Sequence, residues 1–467
     1  MPMNYDVIIV GAGPAGIFTA LELVKMDKSK KILILDKGRT IEKRTCPLRT
    51  LQKCLHCQPC GIVNGWSGAG AFSDGKLSLS PEVGGRLTEY MDYDKVQQLI
   101  KYVDDIYVSY GAKGKIHGLD NKKVEEIMYE ASKHNIKLVP CPVRHLGTDL
   151  GYEVLKRMYY ALREEENFTF KELTEVTDLI IENEKIKGVK AKDREGEKEY
   201  YGKNIVLAPG RGGAGWLETI MKRANIKTEN NEVDIGVRVE VPNSVLDHLT
   251  KDLYEPKLIY YSDTFENKVR SFCVNPGGYV SEEHYDDNLA VVNGHSFADD
   301  KQKSPNTNFA LLVSTKFTEP FDQPIEYGKY IAKLGNMITG GGILVQRLGD
   351  LLNGRRTNSH RLSKSTTVPT LKSAVPGDLS FVLPHRYLTS IVETLKAFDK
   401  IAPGIYSKNT LLYGVEVKFY SSKVNIDENF QTKVEGLYTI GDGAGLTRGL
   451  MQASVSGVIV ARHICTK

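Results

Sequence analysis

The sequence predicts an α/β protein in which both ends of the chain and a stretch near its middle build one sheet around an inserted α+β domain. Three stretches predict it: "YDVIIVGAGPAGIFTALELV" at the start, "IKGVKAKDREGEKEYYGKNIVLAPG" from Ile186 to Gly210, and "GLYTIGDGAGLTRGLMQASVSGVIVARHI" at the end. Each carries a short run of strand-forming residues into a glycine turn.

The first stretch predicts a buried strand, a tight turn and a helix. Val7–Val10 is the β-branched run of a central parallel strand. Gly11, Gly13 and Gly16 follow with G-x-G-x-x-G spacing around Pro14 and Ala15. The first glycine makes the turn, the second lets a pyrophosphate approach the backbone, and the third lets helix pack on strand. The helix dipole then faces the phosphates. A second strand, "KILILDKG", ends at Asp36 and Lys37, and the acid stands at the spacing that serves a ribose. This βαβ pattern is a Rossmann-like dinucleotide site.

The second stretch predicts a β-meander: two alternating strands with a charged turn, then a buried strand ending at Ala208-Pro209-Gly210. Its continuation "GRGGAG", from Gly210 to Gly215, matches the glycine fingerprint again. Asp234 precedes a strand instead of ending one, so a nicotinamide site is not expected. The third stretch predicts a strand, a turn with Gly441 and Asp442, and an apolar helix from about Thr447 to Ile464, entered through Gly449.

A chain of 467 residues exceeds what one core organises, so two or three domains are expected. The near balance of 62 basic and 58 acidic residues argues against a protein built to coat nucleic acid. Neither a secretory signal nor an apolar run of membrane-spanning length is visible, so the expected compartment is the cytoplasm, with no membrane partner. Helical spacing runs through 86–170. The expected division is a discontinuous nucleotide-binding domain (1–85, 171–233 and 405–467), a helical insertion (86–170) and a substrate or cap domain (234–404).

Several loops look chemical. "WSGAGAFSDGKLS" offers close backbone approach at Gly70 and Gly75, with Ser73, Asp74 and Lys76. "CVNPGGYV" and "VVNGHS" are expected to bring Cys273, Asn293 and His295 near one another. "GRRTNSHRLSKSTTVPT" gathers Arg355, Arg356, His360, Arg361 and Lys364, as an anion grip or as a solvated basic loop.

With these motifs the chain resembles FAD-dependent oxidoreductases of the glutathione-reductase structural class. "GAGAFSDGKL", "CVNPGGYV", "LLYGVEVKFYSS" and "GDGAG" extend the resemblance to a family of bacterial and archaeal FAD-dependent dehydrogenases. The resemblance implies bound FAD, with Gly441 and Asp442 on the ribityl chain and pyrophosphate, Gly210 in the turn behind the flavin, and the last helix aimed at the pyrimidine ring. Leu-Thr-Arg at 446–448 departs from the small residues expected there. Lys76, His295 and Arg448 are the catalytic candidates by loop position, acting on a small organic substrate with an unidentified electron donor or acceptor.

The remaining motif is "CLHCQPC". Cys54, Cys57 and Cys60, with Cys46-Pro47 upstream, have the count and spacing of a [4Fe-4S] cluster, with Arg44, Arg49 and Lys53 to offset its charge. A thiol–disulfide oxidoreductase using these cysteines, a zinc site and buried structural thiols also fit. A flavin-dependent RNA-modifying or regulatory binding protein is a further reading, resting on the basic stretch from Lys37 to Lys53.

Overall fold

The computed structural model describes residues 4–47, 55, 57–285, 289–297, 299–318, 320–321, 323–418 and 422–467. The chain forms two compact units. One comprises 1–114, 146–231 and 420–467; the other comprises 115–145 and 232–419.

In the first unit the strand Asn4–Val10 is central, because Val7 to Val10 are buried on both faces. It pairs in parallel with Ile32–Leu35 on one side and with Gly196–Leu207 on the other. Phe168–Lys171 extends the parallel sheet beyond Ile32–Leu35. The long strand Gly196–Leu207 has two further partners: its first half runs antiparallel to Lys185–Asp193, and its last residues pair in parallel with Leu437–Thr439. Glu175–Glu182 completes the meander. The expected parallel sheet with a β-meander is therefore present.

Two helices cover this sheet, Pro14–Met26 and Leu450–Thr466, and both are buried around most of their circumference. Gly457 sets their separation. A side chain there would put its Cβ 2.3 Å from the Ala15 carbonyl oxygen and 2.8 Å from the Thr19 nitrogen. Close packing of Ile17, Phe18, Val455 and Val458 follows, each fully buried and each contributing roughly 1.5–3 kcal/mol.

The second unit is built on an eight-stranded sheet. Its centre is Val233–Pro242, antiparallel to both Asn306–Thr315 and Leu411–Lys418. Lys137–Val139 forms one edge, on Lys257–Tyr261. That pairing is why the segment expected as one helical insertion, 86–170, divides between the units: Tyr93–Ser109 and Gly147–Arg163 fold with the first, and Asn121–Ser132 with the second. A separate antiparallel ladder joins Tyr279–Tyr285 to Leu289–His295. Among the described residues no helix is long and apolar enough to cross a membrane.

Replacing Gly457 with Val forces the two helices apart. The expected loss is about 1–3 kcal/mol, the usual range for overpacking, read as a lowered unfolding midpoint in urea.

Candidate functional site

In the first unit three turns stack at the C-terminal ends of parallel strands, where an open α/β sheet forms its ligand crevice. The first is the fingerprint turn. Gly11 has φ +105°, and a Cβ on it would lie 2.2 Å from the Ala208 carbonyl oxygen. A Cβ on Gly16 would lie 2.1 Å from the Gly11 carbonyl oxygen, so helix and turn touch. Gly13 differs, because nothing lies within 4 Å of its Cβ position, at the N-terminus of the helix that begins with Pro14 and Ala15. The second turn, Ala208-Pro209-Gly210, is held by the Ala208 N–H donating to the Val10 carbonyl at 2.8 Å. The third is the Gly441–Gly445 turn, where a Cβ on Gly443 would lie 2.6 Å from the Gly210 carbonyl oxygen.

Asp36 ties the crevice to the glycine loop. Its Oδ2 accepts from the Ala12 N–H at 2.8 Å, and its Oδ1 accepts from Gly38 at 2.7 Å and Gly65 at 2.9 Å. Lys37 turns the other way, its Nζ 3.8 Å from Glu175. The loop runs on beside the fingerprint turn, with the Ser67 N–H donating to the Ala12 carbonyl at 2.6 Å. Ser67 is fully buried and its Oγ has no hydrogen-bond partner among the described residues. An orphaned buried hydroxyl next to an open helix N-terminus fits a phosphate-bearing ligand, and so does the donor set around it.

The rest of the loop packs between the two helix starts: a Cβ on Gly70 would meet Leu450 at 2.9 Å and Pro14 at 3.5 Å. Ser73 donates to the Gly70 carbonyl at 2.9 Å and accepts from the Gly75 N–H at 3.3 Å, which closes the turn. Lys76 lies with its Nζ 2.9 Å from Asp74, both side chains nearly buried. At the third turn Asp442 accepts from Thr447 Oγ1 at 2.7 Å and has Arg211 Nε at 3.7 Å. Arg448 and Gly449 then lead into the last helix, and the Arg448 N–H donates to the Gly84 carbonyl at 2.8 Å. The second glycine match, Gly210 to Gly215, does open a helix, Ala214–Arg223, but the next long strand, Val233–Pro242, belongs to the second unit's sheet. No βαβ unit forms there.

The expected cysteine cluster falls partly outside the described residues. Cys46, Cys57 and Cys60 are free thiols, and Cys54, Arg49 and Lys53 lie outside the described residues. Among the described residues no group of three or more His, Cys, Asp or Glu side chains is placed to hold a metal ion. Arg44 is engaged with backbone carbonyls of its own loop. It is buried, donates to the carbonyls of Gly61 at 3.0 Å and Ile62 at 2.6 Å and to that of Trp66, and lies over the Phe72 ring. Arginine has no acceptor to offer, so carbonyls are its natural partners in a loop whose backbone lacks a ladder.

In the second unit His295 ends the ladder strand Leu289–His295, its ring 5.8 Å from Tyr279 and 5.2 Å from Phe297. The expected neighbourhood of Cys273 and Asn293 exists, and one guanidinium makes it. Arg238 donates to the Cys273 carbonyl at 3.3 Å and to Asn293 Oδ1 at 3.4 Å. It also donates to Asn308 Oδ1 at 2.8 Å and forms a two-point pair with Glu416 at 2.9 and 3.1 Å. Lys418 Nζ adds a contact to Glu416 at 2.8 Å. Burial alone would raise the Glu416 pKa; Arg238 and Lys418 outweigh it and hold the carboxyl below its usual range. In the basic loop, Arg355 donates to Asp350 at 2.9 Å and Arg361 Nε lies 3.8 Å from the same buried carboxylate, so two of its cations share one acid.

Two constellations escaped the sequence reading. Tyr254 adopts φ 59°, ψ −57°, where the Glu255 N–H closes a γ-turn on the Leu253 carbonyl at 2.7 Å. Its hydroxyl lies 2.9 Å from His145 Nε2 and 3.0 Å from Ser296 Oγ, and the His117 ring flanks it. The other is Gln452, which grips a segment more than 350 residues earlier. Both connect distant parts of the chain through polar atoms, which periodicity does not register.

Residues 232–419 match the family described as FAD-dependent protein, C-terminal domain-like. A Clostridium beijerinckii protein described as uncharacterized is 28% identical to the whole sequence, over 98% of this chain and 80% of that one. Among solved structures, L-proline dehydrogenase from P. horikoshii is similar with 13% identity and a TM-score of 0.42, covering 99% of this chain and 94% of that one. Glycine oxidase from Geobacillus kaustophilus is similar with 12% identity and a TM-score of 0.40, covering 99% and 95%.

Glu416→Gln leaves Arg238 and Lys418 buried without their counter-charge. A loss of about 3–5 kcal/mol is expected in urea unfolding. In wild-type protein the contribution of Glu416 is complete above the usual carboxylate range and disappears as pH falls through its depressed pKa.

Proposed function

We propose that the first unit holds FAD across the three stacked turns and that the protein passes hydride or electrons between that flavin and a small organic substrate. The observation that carries the reading is the open backbone at Gly13 beside the Ser67 hydroxyl, both without a neighbour that fills them among the described residues. The Gly11–Gly16 turn and its helix N-terminus would take the pyrophosphate. Asp36 would accept from the ribose with its remaining acceptor position, and Asp442 would serve the ribityl side. Bound there, the flavin supplies the two-electron chemistry that amino-acid side chains lack.

The protein's own part is placement and charge. Amides at the start of Leu450–Thr466, with Arg448 beside them, would favour negative charge at that end of the site. Lys76, held by Asp74, keeps a cation at a fixed point of the glycine loop. The second unit is assigned to substrate recognition, with His295 as the group that would hold or move a proton.

Purified protein should be yellow and should release FAD in equimolar amount on denaturation; a colourless preparation with no affinity for added FAD overturns the reading. Asp36→Asn should weaken FAD binding at least tenfold, about 1.4 kcal/mol, in a fluorescence titration of FAD-stripped protein.

A further inference from the structure

The start of the last helix is held by a strap from a remote part of the first unit. Residues 84–86 lie antiparallel to 446–448, with an isolated bridge between Gly85 and Thr447. The Arg86 N–H donates to the Leu446 carbonyl at 3.0 Å, and the Arg448 N–H donates to the Gly84 carbonyl at 2.8 Å. Two hydrogen bonds alone would leave a short glycine-containing strap free to lift. Gln452 supplies the rest. Its Nε2 donates to the Pro81 carbonyl at 2.9 Å and the Val83 carbonyl at 3.0 Å, and its Oε1 accepts from the Leu87 N–H at 3.3 Å.

Gln452 is fully buried, so losing these bonds would strand polar groups away from water. The fit admits no side chain at Gly85: a Cβ there would lie 2.2 Å from Gln452 Oε1 and 3.1 Å from the Leu446 carbonyl oxygen. One amide thus grips both ends of the strap, and the strap grips the backbone of 446–448. Those residues enter the first turn of the helix, whose leading N–H groups have no partners within the helix.

We infer that Gln452 is a positioning residue for the flavin: by clamping the 81–87 strap it fixes Arg448 and the leading amides of the last helix, and so sets the reduction potential of the cofactor. The inference rests on the reading that FAD binds at these turns. Reduction and sulfite addition both place negative charge on the flavin, so both report how well fixed donors meet that charge.

The test compares wild type with Gln452→Met, which keeps length and apolar volume but removes the three bonds, and with Gly85→Ala, which disturbs the same contact from the strap side. Sulfite titration of the holoprotein should show about tenfold weaker binding in each variant. The midpoint potential should fall by about 30 mV, the equivalent of tenfold for two electrons. Unchanged sulfite affinity and potential in a folded, FAD-bearing variant would reduce Gln452 to a structural role and overturn the inference. One arm needs no variant: hydrogen exchange in wild type should slow at residues 81–87 when FAD is added to stripped protein. Equal exchange with and without bound FAD also overturns it. Wild type that binds no FAD at all overturns the underlying reading instead, which keeps the two failures distinct.

Discussion

The first unit depends on the contact between the end of its first strand and the Ala208-Pro209-Gly210 turn. A side chain at Gly11 would occupy the space of the Ala208 carbonyl, and one at Gly443 would occupy that of Gly210. Three parts of the chain, far apart in sequence, are therefore brought to backbone contact in one row. Gly457 repeats the device one layer back, where the first and last helices meet. Such contacts are tight because they are structural, which makes the open position at Gly13 informative. The Gly13 position is open among the described residues, and it lies at the positive end of a helix.

The second unit is constrained differently. Its central strand alternates Val233, Ile235, Val237, Val239 and Val241 with Asp234, Arg238 and Glu240, yet both faces are buried. The apolar face joins the core. The charged face is closed by partners: Glu416 for Arg238, Arg270 and Ser314 for Asp234, and Asn306, Thr370 and Tyr413 for Glu240. A buried pair of this kind adds little net stability, because desolvation cancels most of its attraction. It fixes register instead, since a one-residue slip would drive three charges into the hydrocarbon face. The same layer seats the Asn293–His295 end of the ladder strand, because a Cβ on Gly294 would meet Asn308 Oδ1 at 2.2 Å and Arg238 Nη1 at 2.5 Å.

These two constraints explain what could be read from the sequence. Strand, glycine turn and helix at residues 4–26 are local, as are the meander and the last helix, and each was legible from spacing. The glycine loop was legible as a close approach, though its Ser67 was passed over for Ser73, which only closes a turn. The division of 86–170 was not legible: helical periodicity says which face is buried but not against which sheet. Alternation at 233–242 does not disclose a strand buried on both faces, because its charges find partners up to 178 residues away. Gln452 was hidden for the same reason, as one polar residue in an apolar helix whose use lies 365 positions earlier.

Asp36, singled out by its spacing after the glycine turn, has a role within the protein itself. An ionised carboxylate offers about four acceptor positions and no donor. Here Gly38 and Gly65 share one oxygen, and Ala12 takes the other. An asparagine could satisfy the first pair with its carbonyl, but its NH₂ would then face the Ala12 N–H, donor against donor. An acid is therefore required by the protein alone, before any ligand arrives, to join the fingerprint turn, the end of the second strand and the start of the glycine loop. A ribose hydroxyl has only the last acceptor position to use. The acid at this spacing is as much the keystone of the crevice as a contact to what fills it, and the crevice exists in its open form because that carboxylate holds three loops together.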